Sequence, residues 1–186
     1  DERGRAIGEE YTLAIASRAV LRRRKGPVVA NVSTSRMIDD AAAEFGVAAC
    51  RSAVGEINVV TKMQEVSAVV GGEGNGGVIL PEVHPGRDAC TAAALVLTAL
   101  LDHGTSVSGL VSALPSYSIV KTKLQLRNVT REALRDAVTA EFPDAECDLT
   151  DGAKMSWPDR WVHARMSGTE PVVRVIAEAP DHSSAS

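Results

Sequence analysis

The chain has 186 residues, 45% hydrophobic and 24% charged, with a formal net charge of −4. These are the fractions of an ordinary globular protein with room for one large domain or two small ones; the acidic balance offers no basic field to nucleic acid, and no stretch approaches the ~20 apolar residues of a membrane span. Cys50, Cys90 and Cys147, odd in number and far apart, argue against a disulfide framework or a zinc site and for a reduced, cytosolic setting.

The first half alternates helices with strands. Gly4 marks a tight turn, and Glu9-Glu10 open a helix over about 9–24. Acidic residues at its start and the run Arg22-Arg23-Arg24-Lys25 at its end both suit the helix dipole, so the basic block reads as a solvated helix terminus. Pro27-Val28-Val29-Ala30-Asn31-Val32 is a short continuous apolar run, the pattern of a buried strand. A helix over 37–45 stops at Gly46; a strand at 47–50 and a helix over about 55–65 follow. Ala68-Val69-Val70 is then a strand that delivers a glycine-rich loop, 71–77. The most apolar helix, 89–101, is stopped by Asp102-His103-Gly104. Alternation at this spacing indicates an α/β unit with a largely parallel sheet. It puts the glycine loop at the carboxyl end of a strand, where open α/β sheets bind ligands.

A short helix over about 107–114 and the linker Pro115-Ser116 close this half. Beyond it 118–126 alternates as a strand, and Thr130 caps a helix to about Glu141. Cys147-Asp148-Leu149 and Ala153-Lys154-Met155 flank an Asp151-Gly152 turn, a hairpin signal. Residues 161–165 and 172–179 make two more strands, and 181–186 is a polar tail expected to fray. This is a small α+β domain with a mainly antiparallel sheet.

Two segments carry chemistry. Ser167-Gly168-Thr169-Glu170-Pro171 connects the last two strands and is framed by Arg165 and Arg174. Guanidinium groups match phosphate oxygens two at a time; Ser167 and Thr169 add hydroxyl donors, and Gly168 lets backbone amides turn inward as an anion nest. Two cations on neighbouring strands ask for an anion, which Glu170 supplies only in part. Turn chemistry alone also accounts for Ser, Gly and Thr here. Gly71-Gly72-Glu73-Gly74-Asn75-Gly76-Gly77 offers one carboxylate and one amide in a loop almost free of side chains. Glu73 accepts from sugar hydroxyls, and Asn75 both donates and accepts; the alternative is a plain flexible turn.

Together these segments resemble the sugar-binding and phosphate-binding loops of the phosphohexomutase superfamily. Val54-Gly55-Glu56-Ile57-Asn58-Val59, Pro85-Gly86-Arg87-Asp88-Ala89 and the opening Asp1-Glu2-Arg3-Gly4-Arg5 are further similarities. The resemblance implies a three-layer α/β domain with a mixed, largely parallel sheet at 1–114, the family's third, and the fourth, α+β domain at 115–186. It implies a sugar-binding role for Glu73, Gly74, Asn75 and Gly76, and a phosphate-binding role for Arg165, Ser167, Gly168, Thr169 and Arg174. His84 and Arg87 are further candidates near substrate. Two positions depart from the family pattern: Met166 stands where proline is common, and Gly77 where several branches carry histidine. The Gly-Glu-Gly-Asn-Gly-Gly form is similar to the phosphoglucosamine mutase branch; phosphomannomutases and phosphoglucomutases would use the same grip.

The activity so implied is a reversible transfer of phosphate between the 6- and 1-positions of a hexosamine or hexose, through a sugar 1,6-bisphosphate. Its phosphoserine loop and the aspartate cluster for magnesium have no counterpart in these residues, so both are expected on N-terminal domains outside the chain. The chain is therefore expected to be the C-terminal part of a larger cytoplasmic enzyme, or a piece excised from one, that binds but does not turn over alone. A homodimer is left open. The rival reading is a sugar-phosphate-binding module without chemistry. Ser33 to Ser35 either touch ligand or serve a turn. Trp157 and Trp161 read as hairpin packing, Asp88 as a helix cap paired with Arg87, and no histidine pair shows metal-ligand spacing.

Overall fold

Apolar runs with helical and strand periods condense into two compact units, Asp1–Ser116 and Tyr117–Ser186. The computed structural model describes residues 1–125 and 129–186; Leu126, the last residue of an expected strand, lies outside them.

In the first unit, helices α1 (Glu10–Leu21), α2 (Met37–Glu44), α3 (Glu56–Val66), α4 (Ala89–His103) and α5 (Val107–Ser112) surround strands β1 (Val28–Asn31), β2 (Ala49–Ser52), β3 (Val70–Glu73) and β4 (Gly77–Ile79). The sheet order is β2-β1-β3-β4. β1 runs parallel to β2 and β3, and only β4 is antiparallel. Both faces of β1 are covered, which is why it reads as an unbroken apolar run. Val28 and Ala30 pack with Leu13, Ala16 and Ile38, whereas Val29 packs with Val59 and Met63 of α3. The result is a three-layer α/β unit with a mixed, largely parallel sheet.

The segment 71–77 corrects the expected loop. Strand β3 extends through Glu73 and β4 begins at Gly77, so only Gly74-Asn75-Gly76 turns. Pairing with β1, Val29 with Gly71 and Ala30 with Gly72, overrides the weak strand preference of glycine. A Cβ on Gly71 would lie 2.8 Å from the Val29 carbonyl oxygen, and one on Gly72 would overlap the Gly77 carbonyl. These glycines permit close packing rather than looseness.

In the second unit, strands β5 (Ser118–Leu124), β6 (Glu146–Asp148), β7 (Ala153–Ser156), β8 (Trp161–Met166) and β9 (Val173–Ala179) form one sheet, ordered β5-β9-β8-β7-β6 and antiparallel throughout. Helix α6 (Arg131–Glu141), capped by Thr130 accepting from the Ala133 N–H at 3.1 Å, packs Leu134 on Ala164 and Val173. Gly152 takes the left-handed conformation that its turn needs, with φ 73°. The tail is a correction. Asp181 caps a last short helix, α7 (His182–Ala185), and Ala185 is buried.

Candidate functional site

In the first unit the hairpin between β3 and β4 is the tip of a polar network. Glu73 is only 5% exposed. Its Oε1 accepts from Asn31 Nδ2 at 2.8 Å and from the Gly55 N–H at 3.1 Å, and its Oε2 lies 3.2 Å from an Arg87 Nη. A buried carboxylate needs this set, because desolvation without partners is costly. A carboxylate has about four acceptor positions, and these contacts use three of them. Asn75 is exposed; its Oδ1 accepts from the Gly77 N–H at 3.1 Å, which leaves the amide NH2 to donate outward. Gly74 faces inward: its N–H donates to Thr34 Oγ1 at 2.9 Å, and a Cβ there would overlap the Glu10 carboxylate. Gly76 supplies the turn, with φ 86°.

Arg87 does not pair with Asp88 as its sequence neighbourhood suggests. Its Nε donates to Glu56 Oε2 at 2.8 Å and its backbone N–H to Glu56 Oε1 at 3.1 Å. The guanidinium beside Glu56 holds that carboxyl below the usual range. In return Glu56 and, less strongly, Glu73 raise the Arg87 pKa. Asp88 is free of that task and caps α4, accepting from the Thr91 N–H at 2.7 Å. His84 is exposed, and its ring adjoins Gly86. Ser33 and Thr34 do turn chemistry: the Ser33 N–H and Thr34 Oγ1 both donate to Asn31 Oδ1, at 2.9 and 3.0 Å. Asn31, Gly55, Glu56 and Glu10 are members that sequence reasoning does not assign to the site, whereas Thr34 lies in the Ser33 to Ser35 segment it weighs. Gly55 and Glu56 lie in the segment 54–59 that resembles the family; Glu10, buried and accepting from the Ser35 N–H at 3.0 Å, leaves no sequence signal beyond helix charge.

In the second unit Arg165 on β8 stands directly opposite Arg174 on β9. Side chains of such a pair share one sheet face. The Nε atoms of both are buried, without a hydrogen-bond partner among the described residues. Arg165 is otherwise held loosely, 3.9 Å from Asp151 Oδ2 and 3.4 Å from the Met166 carbonyl oxygen. Arg174 donates to Glu170 Oε2 at 2.9 Å. The connecting loop is closed by the Ser167 N–H donating to the Val172 carbonyl at 2.9 Å. The loop amides converge within the loop itself. The N–H groups of Thr169 and Glu170 aim at Ser167 Oγ, at 3.4 and 3.3 Å, and Gly168 is not left-handed. A Cβ at Gly168 would meet nothing within 4 Å, so local packing does not require glycine there.

Trp157 and Trp161 serve packing. Trp157 stacks edge-on against Phe142 with centroids 5.4 Å apart, and Trp161 donates to Glu178 at 2.7 Å. His163 is fully buried on β8, its ring against the Asp151 carbonyl oxygen. Among the described residues no cluster of three or more His, Cys, Asp or Glu is placed to hold a metal ion, and no helix is long and apolar enough to cross a membrane.

A mixed-sheet α/β unit followed by an antiparallel α+β unit, each presenting a polar turn with paired charges, defines the class of scaffold. The family model described as phosphoglucomutase/phosphomannomutase, alpha/beta/alpha domain III, matches residues 8–117, and that for the C-terminal domain matches 126–186. The chain belongs to the phosphoglucomutase/phosphomannomutase family, within the phosphohexomutase superfamily. It is 37% identical over 182 residues to a phosphoglucomutase/phosphomannomutase of Thermococcus kodakarensis, and 34% identical over 182 residues to a probable phosphoglucosamine mutase of Methanopyrus kandleri. Each alignment covers 96% of this chain and 40% of the relative. A solved phosphoglucomutase/phosphomannomutase family protein from Burkholderia thailandensis superposes with a TM-score of 0.80 at 26% identity, over 98% of this chain and 40% of its own. The chain thus spans about 40% of the length of the relatives it matches.

Proposed function

We propose that this chain provides the substrate grip of a phosphoglucosamine mutase, which interconverts glucosamine 6-phosphate and glucosamine 1-phosphate. The observation that carries the reading is the in-register pair Arg165 and Arg174, whose buried Nε–H groups have no hydrogen-bond partner among the described residues. A phosphate monoester satisfies those donors and offsets the repulsion of two guanidiniums held on one face. Ser167 and Thr169 lie beside it to donate hydroxyls. In the first unit Glu73 accepts from a ring hydroxyl at its remaining position and Asn75 donates, while Arg87 and Asn31 hold the Glu73 carboxylate still. Clamping the phosphate that does not react fixes the sugar's orientation, which is a large part of the rate in a transfer of this kind. The nucleophile and the magnesium site of such an enzyme are assigned to residues outside this chain, and the setting to the cytoplasm.

The hexosamine preference is supported by the Gly72 to Gly77 sequence and by the Methanopyrus relative. A hexose preference is a second reading, favoured by the name of the Thermococcus relative at 37% identity. Amide NMR titration of the chain with glucosamine 6-phosphate is expected to shift 73–76 and 165–174, without conversion to the 1-phosphate. No shifts at millimolar ligand would reject the grip. Tighter binding of mannose or glucose 6-phosphate than of glucosamine 6-phosphate would transfer the assignment to the hexose reading.

A further inference from the structure

Strand register in the second unit brings a third cation into line. Lys123 on β5 pairs with Arg174 on β9, which pairs with Arg165 on β8. Opposed residues on antiparallel strands project to the same face, and like charges placed so repel. The row is therefore Lys123, Arg174, Arg165 across three adjacent strands. Glu170, from the loop joining β8 to β9, bridges two of the three. Its oxygens lie 3.1 and 3.3 Å from Lys123 Nζ, and Oε2 also accepts from Arg174 at 2.9 Å. The two cations hold the Glu170 carboxyl below its usual range, Lys123 most strongly. Arg165, at the end of the row, has among the described residues one carboxylate in reach, Asp151 at 3.9 Å, besides the Met166 carbonyl at 3.4 Å.

One carboxylate carries a single charge and two oxygens, whereas a phosphate monoester carries nearly two charges and three terminal oxygens. Three aligned cations with two unsatisfied Nε–H groups match the second better than the first. Resting on the phosphate reading of Arg165 and Arg174, we infer that Lys123 is a third phosphate ligand and that Glu170 is a resident carboxylate occupying the phosphate position, displaced when phosphate binds. No covalent step is involved; one anion exchanges for another. Such an exchange disfavours monoanionic ligands, which would gain nothing over the Glu170 side chain already present.

The test is the affinity of the 186-residue chain for inorganic phosphate and for glucosamine 6-phosphate, measured by calorimetry and by amide shifts. Lys123→Met is expected to weaken both about tenfold, the scale of one lost charge-assisted hydrogen bond, and Lys123→Arg to restore most of it. Glu170→Gln is expected to tighten both several-fold, because the internal competitor loses its charge. The Lys123 side chain is exposed enough that its replacement leaves folding intact, which tryptophan fluorescence checks. Arg165→Ala separates the two levels of inference. If Arg165→Ala weakens binding while Lys123→Met stays within twofold of the parent chain, Lys123 is a surface cation and the inference is overturned. Weaker binding in Glu170→Gln overturns the displacement, since Glu170 then orders the cations instead of competing with them. If Arg165→Ala also leaves affinity unchanged, the phosphate reading itself falls.

Discussion

Arg87 illustrates how a single side chain sets the behaviour of others. It stands between Glu56 and Glu73, with a bidentate hold on the first and a Nη contact on the second. Glu73 is buried, so its orientation depends on Arg87 and Asn31 rather than on solvent. Arg87 is a positioning residue in this arrangement. Replacing it with methionine is expected to raise the Glu56 titration midpoint, because the hydrogen bonds and charge that lower it are lost. The sign follows from linkage: with a depressed pKa in the folded state, Glu56 stabilises above its unfolded pKa and loses that contribution as pH falls through the folded value. Carboxyl carbon NMR across pH 2–6 measures the midpoint, and an unmoved Glu56 resonance in Arg87→Met would refute the assignment. The sequence placed Arg87 near the site but with the wrong partner, since Asp88 is its neighbour along the chain and Glu56 only in space.

At the scale of elements, the two turns contrast in why they contain glycine. The β3–β4 hairpin has backbone of one strand pressed against the other, and Gly72 has no room for a methyl group. Gly72→Ala is expected to destabilise the first unit by about 1–3 kcal/mol, the usual cost of overpacking. The β8–β9 connection is open around Gly168, and Gly168→Ala is expected to change stability by less than about 0.5 kcal/mol. Its effect belongs to ligand: a weaker affinity for glucosamine 6-phosphate with unchanged stability says that the open space is kept for phosphate. Urea unfolding followed by circular dichroism compares the two variants, and equal losses of stability would contradict the packing argument. Both turns read as loops in the sequence because composition reports glycine content but not what the neighbouring backbone demands.

For the molecule as a whole, two compact units make a single unfolding free energy ill-defined. Both tryptophans, Trp157 and Trp161, lie in the second unit, so their fluorescence follows that unit alone. His163 lies there too, fully buried, and burial lowers its pKa, partly countered by the Asp151 carbonyl and carboxylate and reinforced by Lys154 and Arg165. A folded imidazole that resists protonation contributes its full stability above the unfolded pKa of about 6.5 and loses it as pH falls below that value. The urea midpoint seen by tryptophan fluorescence should therefore drop as pH falls below about 6.5, and His163→Asn should flatten that slope. A slope that survives the substitution would assign the acid sensitivity to other groups.

The chain's residue pattern by itself determined the class of each unit, since hydrophobic period and turn residues are local properties: β1 as a buried run, the caps Asp88 and Thr130, and the change from parallel to antiparallel grammar after Pro115. It also picked out Glu73 and the Arg165 to Arg174 segment, because unusual residue types stand out without any fold. Only the tertiary structure decided that Glu73 is buried and already bound by Asn31, Gly55 and Arg87, that the Thr169 and Glu170 amides turn onto Ser167 Oγ, and that Lys123 joins the arginine row. Burial, partner choice and cross-strand register depend on residues tens of positions away, and their energies exist only once the sheet has brought those residues together.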